Sequence, residues 1–186
     1  MEQPTRESAL QLLKEYNKSD ALLKHAYAVE GVMKHFALKF NEDIMKWGII
    51  GLIHDLDYEM YPAEHCVKTE EIMKEHHYPQ EYIHAVISHG YGLCVDVEPV
   101  LFMEKVLYTI DELTGLIAAT ALMRPSRSVN DLEAKSVIKK FKQSSFAAGV
   151  NREVIIKGCE MIDMDLNDVI TECITGMRKV ADIIGL

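Results

Sequence analysis

The apolar run Trp47–Ile53 ends abruptly in the polar pair His54-Asp55, and this junction constrains the fold more than any other segment. The run has seven consecutive residues and none of them is charged, which predicts an element that is buried on all sides. An imidazole and a carboxylate directly after such a run are costly unless they are hydrogen-bonded, paired or bound to a metal ion. The junction therefore predicts a buried helix that opens at its end onto a polar site.

Two further metal-ligand types lie on predicted inward faces. Val29 and Val32 follow His25 at helical steps of four and three residues, so the imidazole shares a face with apolar side chains. Asp111 follows Leu107 by four residues on what is predicted to be another inward face. A carboxylate on an apolar face needs a partner. We expect His25 and Asp111 to meet His54 and Asp55 at one site.

Helical periodicity runs through almost the whole chain, whereas strand-type alternation is weak. Predicted helices span residues 5–17, 20–40, 42–55, 64–76, 80–89, 99–123, 131–142, 151–161 and 166–184. The predicted boundary residues are Pro99, Asn130, Asn151 and Asp165 at helix starts and Arg124-Pro125 at the end of the long central helix. The fold class is therefore all-α, with His25 and Asp111 inside helices and the doublet at a helix end.

Composition favours one cytoplasmic body. With 186 residues, 48% of them hydrophobic, the chain can bury a core as one domain. No apolar stretch approaches the roughly 20 residues that cross a bilayer, and the first eight residues contain no secretory hydrophobic region. The four cysteines are scattered along the sequence without a Cys-x-x-Cys pair, which favours reduced thiols over a thiolate zinc site or a disulfide framework. We expect no membrane contact, and the sequence predicts no oligomeric state.

The order of these residues resembles a known motif. His25, His54-Asp55 and Asp111 resemble the H…HD…D pattern of the HD-domain metal-dependent phosphohydrolase superfamily, and His65 and His89 resemble the extra histidines of its HDIG-type branch. Further segments resemble a small stand-alone group of predicted hydrolases in that superfamily: His54–Glu59, Asp111–Gly115, Ala121–Ser126 and Ser145–Arg152. The resemblance therefore extends over most of the chain.

Two departures from the pattern stand out. Leu56-Asp57 follows the doublet where the HDIG pattern has Ile-Gly, so an acid replaces the flexible glycine. Gly90-Tyr91-Gly92 is a near miss to the Gly-Tyr-Pro motif, which disfavours the cyclic-dinucleotide branch.

The resemblance implies a compact single-domain helical bundle of the HD-domain type over residues 1–186. Its metal-site core would span about residues 20–123, with a C-terminal helical extension over about residues 124–186. The implied ligands of the principal divalent ion are His25, His54, Asp55 and Asp111; in a dinuclear site, Asp55 bridges to a second ion held by His65 and His89. Mixed nitrogen and oxygen ligation suits Mn, Fe, Co, Ni or Zn without distinguishing among them.

The implied activity is hydrolysis of a nucleotide or another small phosphate ester, a phosphomonoester or a phosphodiester, by a metal-activated water. Asp55 takes part through the ions, and Asp57 or Glu59 is a candidate to orient the water or act as general base, the alternative being exposed loop acids or caps. Lys68 lies one turn after His65 and is a candidate to neutralise a substrate phosphate, the alternative being a surface lysine.

Charge is uneven along the chain. Residues 124–157 hold eight Lys or Arg and three Asp or Glu, a net charge of +5 within a chain of net charge −9. We hypothesise that Arg124, Arg127 or Arg152 contacts an anionic substrate, whereas the lysines of the predicted helix 131–142 form a solvated basic face. Overall acidity without interleaved aromatic residues disfavours a nucleic acid polymer as partner and favours a small phosphorylated substrate.

Two other functions stay open. Some proteins of the HD fold use the six-residue ligand set for oxygen chemistry, so a dinuclear iron oxygenase or lyase is the first alternative. A noncatalytic ligand-binding module is the second, although its usual mark, loss of a doublet residue, is absent here.

Overall fold

The computed structural model describes residues 3–186, and its regular elements are helices. They are α1 (Arg6–Tyr16), α2 (Asp20–Phe40), α3 (Ile44–Leu52), α4 (Val67–Glu75), α5 (Gln80–Ile87), α6 (Phe102–Leu122), α7 (Ala134–Phe141), α8 (Arg152–Met161), α9 (Leu166–Arg178) and α10 (Ala181–Ile184). Short 3₁₀ turns span Pro62–Glu64 and Ser88–Gly90, and an isolated β-bridge joins Tyr91 to Val95. The all-α prediction is confirmed.

Several predicted boundaries are confirmed by local hydrogen bonds. The side chain of Asn151 accepts from the backbone N–H groups of Glu153 and Val154 at 3.1 and 3.2 Å, the bonding expected of an N-cap. The long central helix α6 ends at Leu122, just before Arg124-Pro125. The sequence at these points sets the helix ends locally.

The predicted cap at Asn130 is wrong, because α7 begins only at Ala134. Arg178 donates to the backbone carbonyls of Val129 and Leu132 at 3.1 and 2.8 Å, and these bonds hold the intervening chain in an irregular turn. A partner from a distant helix therefore overrides the local capping preference.

Two other helices differ from prediction at one end. The predicted start at Pro99 is wrong: α6 begins at Phe102, where the Glu104 carboxylate accepts from the backbone N–H groups of Val100 and Leu101 at 2.7 and 2.9 Å. The predicted helix 166–184 is divided into α9 and α10. The break at Val180 places its side chain against α2 beside Gly31.

The two longest helices, α2 and α6, have 21 residues each and form the centre of the molecule. They pack against each other, α3 and α9 pack on α2, and α7 and α8 pack on α6. Phe36 and Met33 from α2, Ile50 from α3 and Leu107 from α6 are fully buried in the shared core. The C-terminal helices thus cover the helices that carry His25 and Asp111.

Glycines bring α9 unusually close to α2. A Cβ atom added at Gly176 would lie 2.7 Å from Cα of Val32, and one added at Gly31 would lie 3.2 Å from the backbone oxygen of Gly176. Because backbone cannot move aside as a side chain can, neither position has room for a side chain. This close contact fixes the position of the middle of α2, the helix that carries His25.

Helix α3 delivers the doublet to the centre of the fold. Its N-cap Asp43 accepts from the backbone N–H groups of Met45 and Lys46 at 3.0 Å, and Trp47 through Leu52 are buried. The helix ends at Leu52, three residues before the predicted end at residue 55, so His54-Asp55 lies in the turn that follows the helix. No helix among residues 3–186 is long and apolar enough to cross a membrane.

Candidate metal centre

Three separate elements bring four of the predicted ligands together in what we call the first cluster: His25, His54, Asp55 and Asp111. One ligand atom from each lies within 4.8 Å of all the others. Asp111 Oδ1 lies 2.9 Å from His25 Nε2 and 3.2 Å from His54 Nε2. Helix α2, the turn after α3 and helix α6 therefore converge on one point.

The other two predicted ligands meet beside it, in what we call the second cluster: His65, Cys66 and His89. The Nε2 atoms of His65 and His89 are 3.1 Å apart, and Cys66 Sγ is 4.0 Å from His89 Nε2. His65 follows one 3₁₀ turn and His89 lies within the other. This cluster is therefore built from irregular backbone.

Asp55 lies between the two clusters. Its Oδ2 is 3.4 Å from His54 Nε2 and 3.6 Å from His25 Nε2. Its Oδ1 is 3.5 Å from His65 Nε2 and 3.6 Å from His89 Nε2. The two oxygens of one carboxylate thus face different clusters.

Backbone contacts fix the orientation of two of the rings. His54 Nδ1 lies 2.8 Å from the carbonyl of Gly51, and His89 Nδ1 lies 2.6 Å from that of Val86. A carbonyl can only accept, so Nδ1 carries the proton and Nε2 of the neutral ring presents its lone pair. In each cluster the Nε2 atoms of two rings meet, at 3.2 and 3.1 Å, an arrangement that a cation shared between them would stabilise. The donor set fits divalent metal ions.

Asp57 supports His65 from behind. Its side chain is fully buried; Oδ1 accepts from His65 Nδ1 at 2.7 Å and Oδ2 from the backbone N–H of Thr69 at 2.8 Å. A carboxylate behind a ligating imidazole fixes the ring and strengthens its basicity. The acid that departs from the HDIG pattern thus positions His65. Both its oxygens are engaged, so direct activation of a water by Asp57 is not supported.

Glu59 and Lys68 are occupied away from the clusters. Glu59 Oε2 accepts from the backbone N–H groups of Lys18 and Ser19 at 2.7 and 2.9 Å, just before α2. Lys68 Nζ pairs with Glu71 at 2.7 Å. In residues 3–186 neither side chain lines the cleft at the clusters, so the alternatives of a cap and a surface lysine account for them.

The three candidate arginines are likewise not brought to the clusters. Arg124 pairs with Asp131 at 2.8 Å, and Arg127 lies in a turn with a left-handed φ of 51°. Arg152 donates to five backbone carbonyls, those of Phe141, Gln143, Phe146, Ala147 and Val150. Across the described chain the cleft lining includes no arginine or lysine. Arg152 therefore holds its own preceding loop rather than a substrate.

A cleft of about 420 Å³ opens over both clusters. Its lining adds residues that the sequence argument missed, among them Tyr58, Glu112 and Cys94. The Tyr58 ring stands edge-on to His65 at 5.1 Å, and Glu112 accepts from the backbone N–H of Asn151 at 3.1 Å. The sequence signal for these two residues was their position: Glu112 directly follows Asp111, and Tyr58 lies three residues after Asp55.

The charges of the first cluster are strongly coupled. Burial alone would lower the pKa of His54, but the carboxylates of Asp55 and Asp111 raise it well above its usual value. Burial would raise the pKa of Asp111, but His54 and His25 hold it well below the usual carboxyl range. In the second cluster, burial opposes Asp57 and Asp55, which raise the pKa of His65. The site therefore favours cations, protons or metal ions alike.

Two of the four cysteines, Cys66 and Cys94, are distant in the sequence but meet in the fold. Cys66 Sγ and Cys94 Sγ are 3.5 Å apart, although all four cysteines, which lie within the described residues, are free thiols. Hydrogen bonding between the two thiols lowers the pKa of Cys94 to about 6, while it and burial raise the pKa of Cys66. Cys94 therefore reaches the edge of the second cluster through its contact with Cys66.

No protein-family model, curated protein or solved structure matches the chain. Its function is therefore inferred from the site itself.

Proposed function

We propose that this chain is a metal-dependent phosphohydrolase of the HD-domain type that acts on a nucleotide or another small phosphate ester. The observation that carries the proposal is the position of Asp55, whose two oxygens face separate histidine clusters at 3.4–3.6 Å. Two divalent ions about 3.5–4 Å apart supply a water of lowered pKa and a clamp for phosphoryl oxygens. A carboxylate shared between two sets of imidazoles suits such a pair.

Each set of residues has its own role in the proposed site. His25, His54 and Asp111 hold one side of the site, and His65 and His89 hold the other, with Asp57 fixing His65. Tyr58 and Glu112 line the cleft as further polar groups that a substrate can contact. Since the lining within residues 3–186 has no lysine or arginine, the charge of a substrate phosphate is offset by the cations that these ligands bind.

The size of the cleft supports a small substrate. A volume of about 420 Å³ lies within the range of roughly 300–1,000 Å³ typical of small-molecule sites. Its walls combine the polar donors with apolar side chains such as Leu22, Leu93 and Val150. A phosphate ester with a compact organic group fits this combination.

The test is an assay of the purified protein against nucleotides and other phosphate esters in the presence of Mn²⁺, Fe²⁺, Co²⁺, Ni²⁺ or Zn²⁺. Asp55→Ala and Asp111→Ala are expected to abolish hydrolysis, whereas Asp168→Ala, an exposed aspartate on α9, is the matched control. Hydrolysis that persists in both site variants would overturn the proposal. Failure of every ester, together with two bound irons per chain and oxygen consumption, would favour the oxygenase alternative.

A further inference from the structure

We infer that the second cluster is a mixed thiolate and imidazole site, in which Cys66 and Cys94 join His65 and His89 to bind a thiophilic divalent ion such as Zn²⁺. The inference rests on the proposed function only for the presence of a second ion beside Asp55. It assigns a role to two thiols that hydrolysis itself does not use.

Three of the donor-atom separations are close to those around a tetrahedral ion. Bond lengths of about 2.0 Å to nitrogen and 2.3 Å to sulfur give edges of about 3.3 Å between nitrogens, about 3.5 Å between nitrogen and sulfur, and about 3.8 Å between sulfurs. The corresponding distances are 3.1 Å for the two histidine Nε2 atoms, 4.0 Å for Cys66 Sγ to His89 Nε2, and 3.5 Å for the two sulfurs. The donor atoms of His65, Cys66 and His89 already lie within 4.8 Å of one another, whereas Cys94 Sγ lies outside this group and has to rotate toward the two rings to become the fourth ligand.

Gly90 makes room for both sulfurs next to His89. A Cβ atom added at Gly90 would lie 2.5 Å from Cys94 Sγ and 2.7 Å from Cys66 Sγ. The Gly90 carbonyl accepts from the backbone N–H groups of Cys94 and Val95 at 3.0 and 3.3 Å, so a tight turn folds Cys94 back over this glycine. The turn and the missing side chain together bring a second thiol to the cluster.

The backbone of Cys66 is strained where it presents its thiol. Its φ of 66° and ψ of −37° are unfavourable for a residue with a side chain. Cys66 is 1% exposed and stands directly between His65 and the start of α4 at Val67. Such strain persists where the surrounding structure fixes it, and it concentrates at functional sites.

The two clusters then differ in chemistry. The first offers two imidazoles and two carboxylates, which suit manganese or iron, whereas sulfur in the second favours zinc over the harder ions. Asp55 Oδ1 faces the second cluster and lies 3.5 Å from His65 Nε2. Because Cys94 is exposed and Cys66 is buried, Cys94 is the ligand that Asp55 or a substrate can replace.

The test uses the full chain, stripped of metal and kept reduced, and titrated with Co²⁺ as a spectroscopic substitute for Zn²⁺. The wild type is expected to show a near-ultraviolet thiolate-to-cobalt charge-transfer band. Cys66→Ser and Cys94→Ser should each diminish the band and weaken Zn²⁺ binding at least about tenfold, since even groups behind a ligand are worth 10–100-fold. Cys159→Ser, at a buried cysteine on α8, should leave both unchanged.

A second variant protects the test against misfolding. Gly90→Ala displaces the sulfurs without removing a ligand, so the band should weaken while the first cluster still binds its ion and the helical circular dichroism is retained. An unaltered band in Cys66→Ser, or two bound cobalt ions in the wild type without any such band, would overturn the inference. A thiolate band without phosphohydrolase activity would refute only the proposed function, and hydrolysis without the band would refute only this inference.

Discussion

The two clusters differ in the backbone that carries them. In the first, His25 and Asp111 lie in the middle of long helices and the doublet lies just beyond α3. In the second, His65 and His89 belong to 3₁₀ turns or their ends, and Cys66 has a strained backbone. Helix packing fixes the positions of the first set, with one hydrogen bond from His54 to the Gly51 carbonyl, whereas hydrogen bonds from His65 to Asp57 and from His89 to the Val86 carbonyl fix the second. A regular framework thus holds one set of donors and local contacts hold the other.

The largest effect should come from removing a ligand of the first cluster. If the proposed function is right, His54→Ala should lower kcat/KM at least about 10³-fold, because several kcal/mol of transition-state stabilisation would depend on the ion that His54 would hold. His89→Ala should cost less and leave one ion bound per chain. Metal content and steady-state kinetics measured on the same preparations check both expectations.

His54 is fully buried, so His54→Gln is the companion variant that preserves most of the side-chain volume. Thermal unfolding identifies any preparation in which the fold is lost. Equal losses of activity and of metal in the His54 and His89 variants would remove the distinction between the clusters.

A smaller effect is expected from substituting Asp57, which accepts a hydrogen bond from His65 Nδ1. Asp57→Ala should weaken metal binding by the second cluster about 10–100-fold and leave the first unchanged. It also leaves the buried backbone N–H of Thr69 unsatisfied, at about 1–3 kcal/mol of unfolding free energy. Calorimetric metal titration and urea denaturation measure the two effects.

Glu59→Ala is the matched control, because it removes a nearby acid that binds only the backbone before α2 among the contacts described. Its metal affinities should equal those of the wild type. If the Asp57 variant instead kept its metal affinity and lost only kcat, Asp57 would be the general base after all.

The pH dependence should follow the coupled charges. In the metal-free protein the raised pKa of His54 contributes stability in full below about pH 6.5, and this is lost as pH rises through the folded value. The lowered pKa values of Asp55 and Asp111 contribute in full above about pH 4 and are lost on acidification. Metal-free protein should therefore be most stable between about pH 4 and 6.5.

Metal binding requires neutral imidazoles, so stabilisation by Mn²⁺ should grow as pH rises above about 6.5. The measurement is the melting temperature at roughly one-unit steps from about pH 5 to 9, once with EDTA and once with Mn²⁺; the difference between the two melting temperatures reports the stabilisation by the metal. A difference in melting temperature that is constant with pH would contradict the assignment of His54 and His65 as ligands.

The sequence predicted the first cluster because helical spacing places a residue on a known face. His25 and Asp111 could be assigned to inward faces from their apolar neighbours alone. Cys66 and Cys94 are 28 positions apart and meet only through the turn at Gly90, which no periodic pattern reveals. The role of Asp57 was equally hidden, since adjacency to the doublet does not tell whether a carboxylate points at a substrate or at His65.

The smallest effect on phosphate binding is expected in the basic segment. Arg152 gives its hydrogen bonds to the backbone of residues 141–150, so Arg152→Ala should lower the unfolding free energy by about 1–3 kcal/mol. The inhibition constant of inorganic phosphate should stay unchanged, as should that of the control Arg124→Ala, whose partner is Asp131. Urea denaturation and phosphate inhibition of hydrolysis measure the two quantities. A rise in the inhibition constant with unaltered stability would instead assign Arg152 to substrate binding, and the basic segment of residues 124–157 would then take part in the proposed reaction beside the two clusters.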